Sequence, residues 1–114
     1  MWDAHLLDYE GVYGVKLGMD KRERVVSGDS LMTHAMVFTG IDEDEDKAPR
    51  RWRVENSWGP DKADKGFWTM NDSWFDEYVF AVAVRRDLLP DDYQQAIGGK
   101  PIVLPVWDPM GALA

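Results

Sequence analysis

The chain has no cysteine among its 114 residues. That excludes a disulfide, a thiolate metal site and a thiol nucleophile within the chain itself. Histidine is scarce too, with only His5 and His34. Cations are outnumbered, 13 Lys and Arg against 21 Asp and Glu, for a net charge of -8. A duplex-binding surface needs clustered cations to displace condensed counterions, so this balance argues against nucleic acid as a partner. No run of about 18 apolar residues occurs, and no membrane-spanning helix is expected. With no disulfides and no leader-like apolar start, the composition points to a soluble, cytoplasmic protein.

What remains is an ordinary globular composition, 45% hydrophobic, with six tryptophans that suggest an aromatic core or a ring-lined cleft. The length allows one domain at most, and a chain this short buries a modest fraction of its surface. Residues 1–18 are apolar but broken by Gly11, Gly14 and Gly18. Val12, Tyr13, Val15 and Leu17 fit a short strand, while Trp2, Leu6, Leu7 and Tyr9 lack evident partners nearby. His5, beside Leu6 and Leu7, reads as a surface or half-buried residue.

Asp20 to Val26 predicts a short helix, with Asp20 and Glu23 forming a capping box and Gly28 ending it. Leu31 to Ile41 and Arg51 to Trp58 predict two strands around a solvated loop of five acids, Asp42 to Asp46. Asp42, Asp44 and Asp46 have the first spacings of a calcium loop. Lys47 stands where that loop needs glycine and Arg53 where it needs a bidentate glutamate, so calcium is not expected. Phe67 to Met70 predicts a third strand, and Asn71, Asp72 or Ser73 caps a short helix over Trp74 to Glu77. Tyr78 to Val84, apolar on both faces, predicts an interior fourth strand. A helix is expected over Pro90 to Ile97, ended by Gly98 and Gly99. The tail after Lys100 carries three prolines and is apolar, a composition that wants a groove.

Two segments carry chemistry. Thr33-His34-Ala35-Met36 opens one predicted strand, and Trp52-Arg53-Val54-Glu55-Asn56-Ser57-Trp58-Gly59 closes the next. A hairpin sets the start of one strand against the end of the other, so the 22 residues from His34 to Asn56 allow the two side chains to meet. An asparagine oxygen can accept a ring N–H and so fix the tautomer and rotation of an imidazole. Trp58, two residues on, could cover that bond and keep water from it. Taken singly, a strand histidine is a structural residue and a strand-end asparagine a turn former. No metal-ligand spacing surrounds His34, and no metal or other cofactor is expected.

The conjunction of His34-Ala35, Gly40, the Asn56-Ser57-Trp58-Gly59 motif and Gly66-Phe67 resembles the second half of a papain-like cysteine peptidase. Leu31-Met-Thr-His34, Arg53-Val-Glu-Asn56 and the ending Trp107-Asp-Pro-Met-Gly-Ala-Leu-Ala114 resemble the bleomycin hydrolase and aminopeptidase C branch in particular. The resemblance runs from about Gly14 to the end. It implies an α+β fold, the C-terminal, β-rich half of a papain-like domain: an antiparallel sheet or partial barrel with short helices. It implies that His34 and Asn56 are catalytic and that Trp58 shields them. It implies that residues 1–100 belong to the peptidase domain and 101–114 form an arm directed to the active-site cleft. The terminal carboxylate of Ala114 would then hold the free ammonium of a peptide substrate.

Branch members are several times longer, and their nucleophilic cysteine and oxyanion-hole glutamine lie far upstream of the histidine. This sequence has neither, so the chain alone is expected to be inactive and to need a Cys-bearing N-terminal part. A homo-oligomer, hexameric in the branch, is implied as well. The alternative is a non-catalytic interaction or oligomerisation module built on the same scaffold.

Overall fold

The computed structural model describes residues 1–113. Its framework is an antiparallel sheet of β1 (Val37–Glu43), β2 (Pro49–Glu55) and β3 (Phe67–Asn71), with β2 in the centre. Short helices flank it: α1 (Tyr9–Tyr13), α2 (Lys21–Ser27), α3 (Asp72–Tyr78) and α4 (Asp91–Ile97). The architecture is α+β, as the sequence implied.

The acidic loop is a hairpin turn. The Asp44 carboxylate accepts the amide protons of Asp46 and Ala48, each at 2.9 Å, and Asp42 pairs with Arg50 at 3.0 Å. Side chains in a strand alternate between faces, so β2 turns Trp52 and Val54 one way and Arg51, Arg53 and Glu55 the other. β1 would lose register with this pattern but for a bulge at Thr39. Phe38 lies opposite Val54 and Ile41 opposite Trp52, so residues three apart share the inner face. On β3, Met70 lies opposite Trp52 and Trp68 opposite Val54. Val54 and Met70 are fully buried between these rings. On the outer face the Arg53 guanidinium sits 3.7 Å from the centre of the Phe67 ring.

α3 covers the inner face. Phe75 stacks on Trp52 at 4.6 Å and meets Phe38 at 5.6 Å, while the Trp52 indole N–H donates to Asp72 at 2.8 Å. Asn71 occupies the N-cap position of α3 but makes no side-chain cap bond. Its amide donates instead to the Asp3 carboxylate at 2.6 Å. Asp3 also accepts from the His5 amide and the Ser73 hydroxyl. These bonds, that from the His5 amide first, hold the Asp3 carboxyl below the ordinary carboxylate range.

Trp2 has partners that sequence reasoning did not find. It adds a one-residue parallel bridge beside Met70, with its amide on the Thr69 carbonyl and its carbonyl on the Asn71 amide, both at 2.8 Å. Its ring stacks on Trp68 at 5.2 Å.

α2 has the expected capping box. Asp20 accepts from the Glu23 amide, Glu23 accepts from the Asp20 amide, and Gly28 ends the helix in a left-handed conformation. Two of its cations reach the end of α3, where helical carbonyls lack intrahelical donors. Lys21 Nζ donates to the carbonyls of Asp76 and Val79, and Arg24 to the carbonyl and carboxylate of Glu77.

Three strand expectations need correction. Val12 to Leu17 is not a strand: Asp8 accepts from the Gly11 amide and starts α1, and Gly14, at φ 66°, stops it. Leu31 to Met36 lies outside the sheet, because β2 ends at Glu55 and offers no partner before Val37. Tyr78 to Val84 is not a strand either: α3 takes Tyr78, and no described strand lies beside the rest. In the tail, Ile102, Val103, Val106 and Trp107 are exposed rather than seated in a groove. The 3-10 turn Pro109–Leu113 lies against α2. The predicted substrate anchor, Ala114, lies outside the described residues.

Candidate active site

The antiparallel pair Val37 and Glu55 closes the hairpin. Continuing backward from Val37 and forward from Glu55, the chain brings His34 and Asn56 together, with His34 Nε2 2.9 Å from Asn56 Oδ1. Asn56 is only 7% exposed. Its backbone amide donates to the Gly66 carbonyl at 3.1 Å, which fastens the end of β2 to the following loop. Gly66 is buried at φ 91°, and a Cβ there would lie 3.3 Å from the Gly59 carbonyl oxygen. The loop Gly59–Gly66 therefore closes tightly around Asn56 only because glycine sits at that point.

The Asn56 amide has a defined orientation. Its oxygen also accepts the backbone N–H of Ser57 at 2.8 Å, and a backbone N–H can only donate. Oδ1 must therefore face both Ser57 and the ring, and the ring nitrogen facing it, Nε2, must carry a proton. In the neutral imidazole that leaves Nδ1 as the acceptor. Asn56 Nδ2 is buried and has no hydrogen-bond partner among the described residues.

Trp58 stacks beside the imidazole, ring centres 5.7 Å apart and planes 28° apart. Trp58 meets Trp68 edge to face at 5.6 Å, and Trp68 stacks on Trp2. A line of rings thus runs from the edge of β3 to the imidazole. Trp58 is nevertheless 54% exposed and His34 is exposed, whereas Asn56 is buried. The pair is held from below and open above. Two shallow concavities, one lined by Asp8 to Lys16 and one by Arg86 and Gln94, lie apart from it and include neither His34 nor Asn56.

A tautomer-fixed imidazole with a free acceptor nitrogen can take a proton from a thiol or hydroxyl, hold it as imidazolium, and return it to a leaving group. Of the residues singled out in the sequence, the structure brings together His34, Asn56 and Trp58. The residues that sequence reasoning missed act through the backbone or over distance. The Ser57 amide left no signal in residue type. Trp2 and Trp68 did, as two tryptophans in need of burial.

A family model described as the peptidase C1-like family matches residues 1–111. The chain belongs to the peptidase C1-like family. Among its relatives in this family, bleomycin hydrolase from Homo sapiens is 52% identical over 98% of the chain and 25% of the relative. Aminopeptidase C from Lactobacillus helveticus is 46% identical over 97% of the chain and 25% of the relative. The crystal structure of PepW from Lactobacillus rhamnosis superimposes with a TM-score of 0.79 at 44% identity, covering 92% of this chain and 24% of that one. The chain spans about a quarter of the length of these relatives, and the match is to their C-terminal part. The fold is therefore that of the C-terminal part of a papain-like cysteine peptidase. Among the described residues, no helix is long and apolar enough to cross a membrane.

Proposed function

We propose that this chain supplies the histidine half of a cysteine aminopeptidase of the bleomycin hydrolase and aminopeptidase C type. His34 is the general acid and base. Asn56 orients it, Trp58 shields their bond, and the Ala114 carboxylate binds the substrate's free N-terminal ammonium. The Cys-bearing N-terminal part of the same enzyme provides the thiolate, and the assembled enzyme is a cytoplasmic oligomer that removes residues from the N-termini of peptides. In the reaction, Nδ1 of His34 takes the thiol proton and the imidazolium holds the thiolate. The thiolate attacks the scissile carbonyl, and the imidazolium protonates the departing amine. Water, deprotonated by the same nitrogen, then hydrolyses the thioester.

The observation that carries this reading is the His34–Asn56 bond, with its polarity set by the Ser57 amide. The open face above His34 supports it, since that is where the N-terminal part of the enzyme would bring a thiol. The test is the native mass of the protein from its own cells, with mass analysis of each component, and hydrolysis of an aminoacyl substrate. A Cys-bearing partner, activity in the assembly, and loss of activity in His34→Ala are expected. Particles made only of 114-residue chains, or an active His34→Ala assembly, would refute it.

A second reading is a non-catalytic assembly module. The observation that favours it is the exposure of Leu6, Leu7, Val12, Val103, Val106 and Trp107, which forms more apolar surface than an isolated domain usually presents.

A further inference from the structure

Trp58 covers the His34–Asn56 bond, yet little in its own segment fixes where it sits. Its main chain makes no backbone hydrogen bond among the described residues. Gly59 follows it at φ 84°, in a turn that leaves the Trp58 side chain 54% exposed. Its aromatic neighbours are His34, at 5.7 Å between ring centres, and Trp68, at 5.6 Å. The position of the cover therefore depends on Trp68.

Trp68 stands on β3 opposite Val54, which shares its face of β2 with Asn56, two residues on. Its plane crosses that of Trp58 at 88°. In an edge-to-face pair the positive edge of one ring meets the negative face of the other, so the contact sets an orientation as well as a distance. Trp2 lies parallel to Trp68, with planes 2° apart. Trp2 is itself fixed by two backbone bonds to β3, and the next residue, Asp3, accepts from Asn71 and Ser73. The stack thus has an anchored base at Trp2 and an unanchored end at Trp58.

The indole of Trp68 opposes folding in one respect. Its Nε1 is buried and has no hydrogen-bond partner among the described residues. Leucine or phenylalanine could fill space beside Val54 without such a donor. What neither supplies is a ring system broad enough to lie along Trp2 and meet Trp58 together.

We propose that Trp68, backed by Trp2, is a positioning residue for His34 and acts through Trp58. By holding Trp58 over the imidazole–amide bond it keeps water from that bond, so Nε2 retains its proton and Nδ1 stays the acceptor. This rests on, and deepens, the reading of His34 as general acid and base.

The test is nuclear magnetic resonance of the 114-residue chain at a pH where the imidazole is neutral. Two signals are read: the nuclear Overhauser contact between the rings of Trp58 and His34, and the rate at which the His34 Nε2 proton exchanges with water. Trp68→Leu keeps an apolar side chain on β3 and removes the ring. It should weaken the contact and speed the exchange by about two- to tenfold, the change in open population expected when one aromatic pair is lost. Trp2→Leu, which leaves the sheet interior intact, should act in the same direction by a smaller factor. Benzothienylalanine in place of Trp68 keeps both fused rings and has sulfur instead of the N–H. It should preserve both signals.

Amide exchange in β2 and β3 reports whether the sheet persists. An unchanged Nε2 proton rate in either leucine variant, with those amides still protected, would overturn the proposal. So would loss of both signals in the benzothienylalanine protein, which would assign the effect to the indole donor instead of the ring contacts. If Trp68→Leu does not fold, Trp2→Leu and the sulfur analogue decide the question. Neither signal requires turnover. Failure of the hydrolysis test therefore removes the peptidase reading alone, whereas an unmoved proton rate removes the positioning role alone.

Discussion

A single buried amide sets the chemistry of the exposed imidazole. Asn56 receives the Ser57 amide on the same oxygen that faces His34, so the ring's tautomer is fixed by a backbone group. Nitrogen-15 spectra of neutral His34 should therefore show the Nε2–H tautomer in clear excess, and Asn56→Ala should abolish that bias. The substitution also removes both hydrogen bonds that Oδ1 accepts, and at about 0.5–1.5 kcal/mol for each should destabilise the chain by about 1–3 kcal/mol in urea denaturation. A dominant Nδ1–H form in the unsubstituted protein would contradict the assignment. Asp3 gives a second residue-scale prediction. Its carboxyl is depressed by the amide of His5 and the side chains of Ser73 and Asn71. Its contribution to stability is therefore present above the unfolded value of 3.8 and lost as pH falls through the lower folded value. Asp3→Asn should flatten the dependence of the melting temperature on pH below about 4, while the unsubstituted chain keeps falling. His34, Asn56 and Trp58 were legible in the sequence because a motif names residue types. The Ser57 amide and the Asp3–Asn71 bond were not, since any residue carries a backbone donor and an aspartate near a chain end looks solvated.

Elements legible in the sequence were those whose cause is local. The capping box of α2 lies within a few residues, and the β1–β2 hairpin is set by two apolar runs around a polar turn. Tyr78 to Val84 failed as a strand because a strand exists only through its neighbour, and its β-rich composition cannot supply one. Val12 to Leu17 failed because Asp8 reaches the Gly11 amide and begins a helical turn in a segment whose apolar residues suggested extension. The tie between α2 and α3 was invisible for a different reason: its two cations contact carbonyls more than fifty residues away. Arg24 has a side chain only 15% exposed and bonds both the carbonyl and the carboxylate of Glu77. Arg24→Ala should cost about 1.5–3 kcal/mol, the range for hydrogen bonds to charged groups, with Arg24→Lys recovering part of it. Equilibrium denaturation measures both, and a loss within 0.5 kcal/mol of zero, the usual scatter of surface changes, would show that the tie is merely superficial.

At the scale of the whole molecule, few apolar side chains among the described residues are fully enclosed. Val25, Val54 and Met70 are buried, and the aromatic layer of Phe38, Trp52 and Phe75 is only half-covered. The radius of gyration is 16.9 Å, against about 13 Å for a compact chain of this length. The chain therefore holds the interior of a site together at Asn56 while leaving broad apolar surfaces at both ends and along Phe80–Val84 without cover. Hydrophobic stabilisation scales with area withdrawn from water, so the isolated chain should sit near the margin of folding. It should bind the dye ANS and melt over a broad range. A polypeptide that covers these surfaces binds only the folded form, and so must raise its stability by mass action. At a free concentration one hundred times its dissociation constant the gain is about 2.7 kcal/mol. Titration with the proposed Cys-bearing N-terminal part should consequently sharpen the melt, raise its midpoint with concentration, and quench ANS fluorescence in parallel. A sharp, concentration-independent melt without ANS binding would mean that the 114 residues already form a self-sufficient domain. In that case the open face above His34 would be a finished surface, and no missing thiol would be needed to explain it.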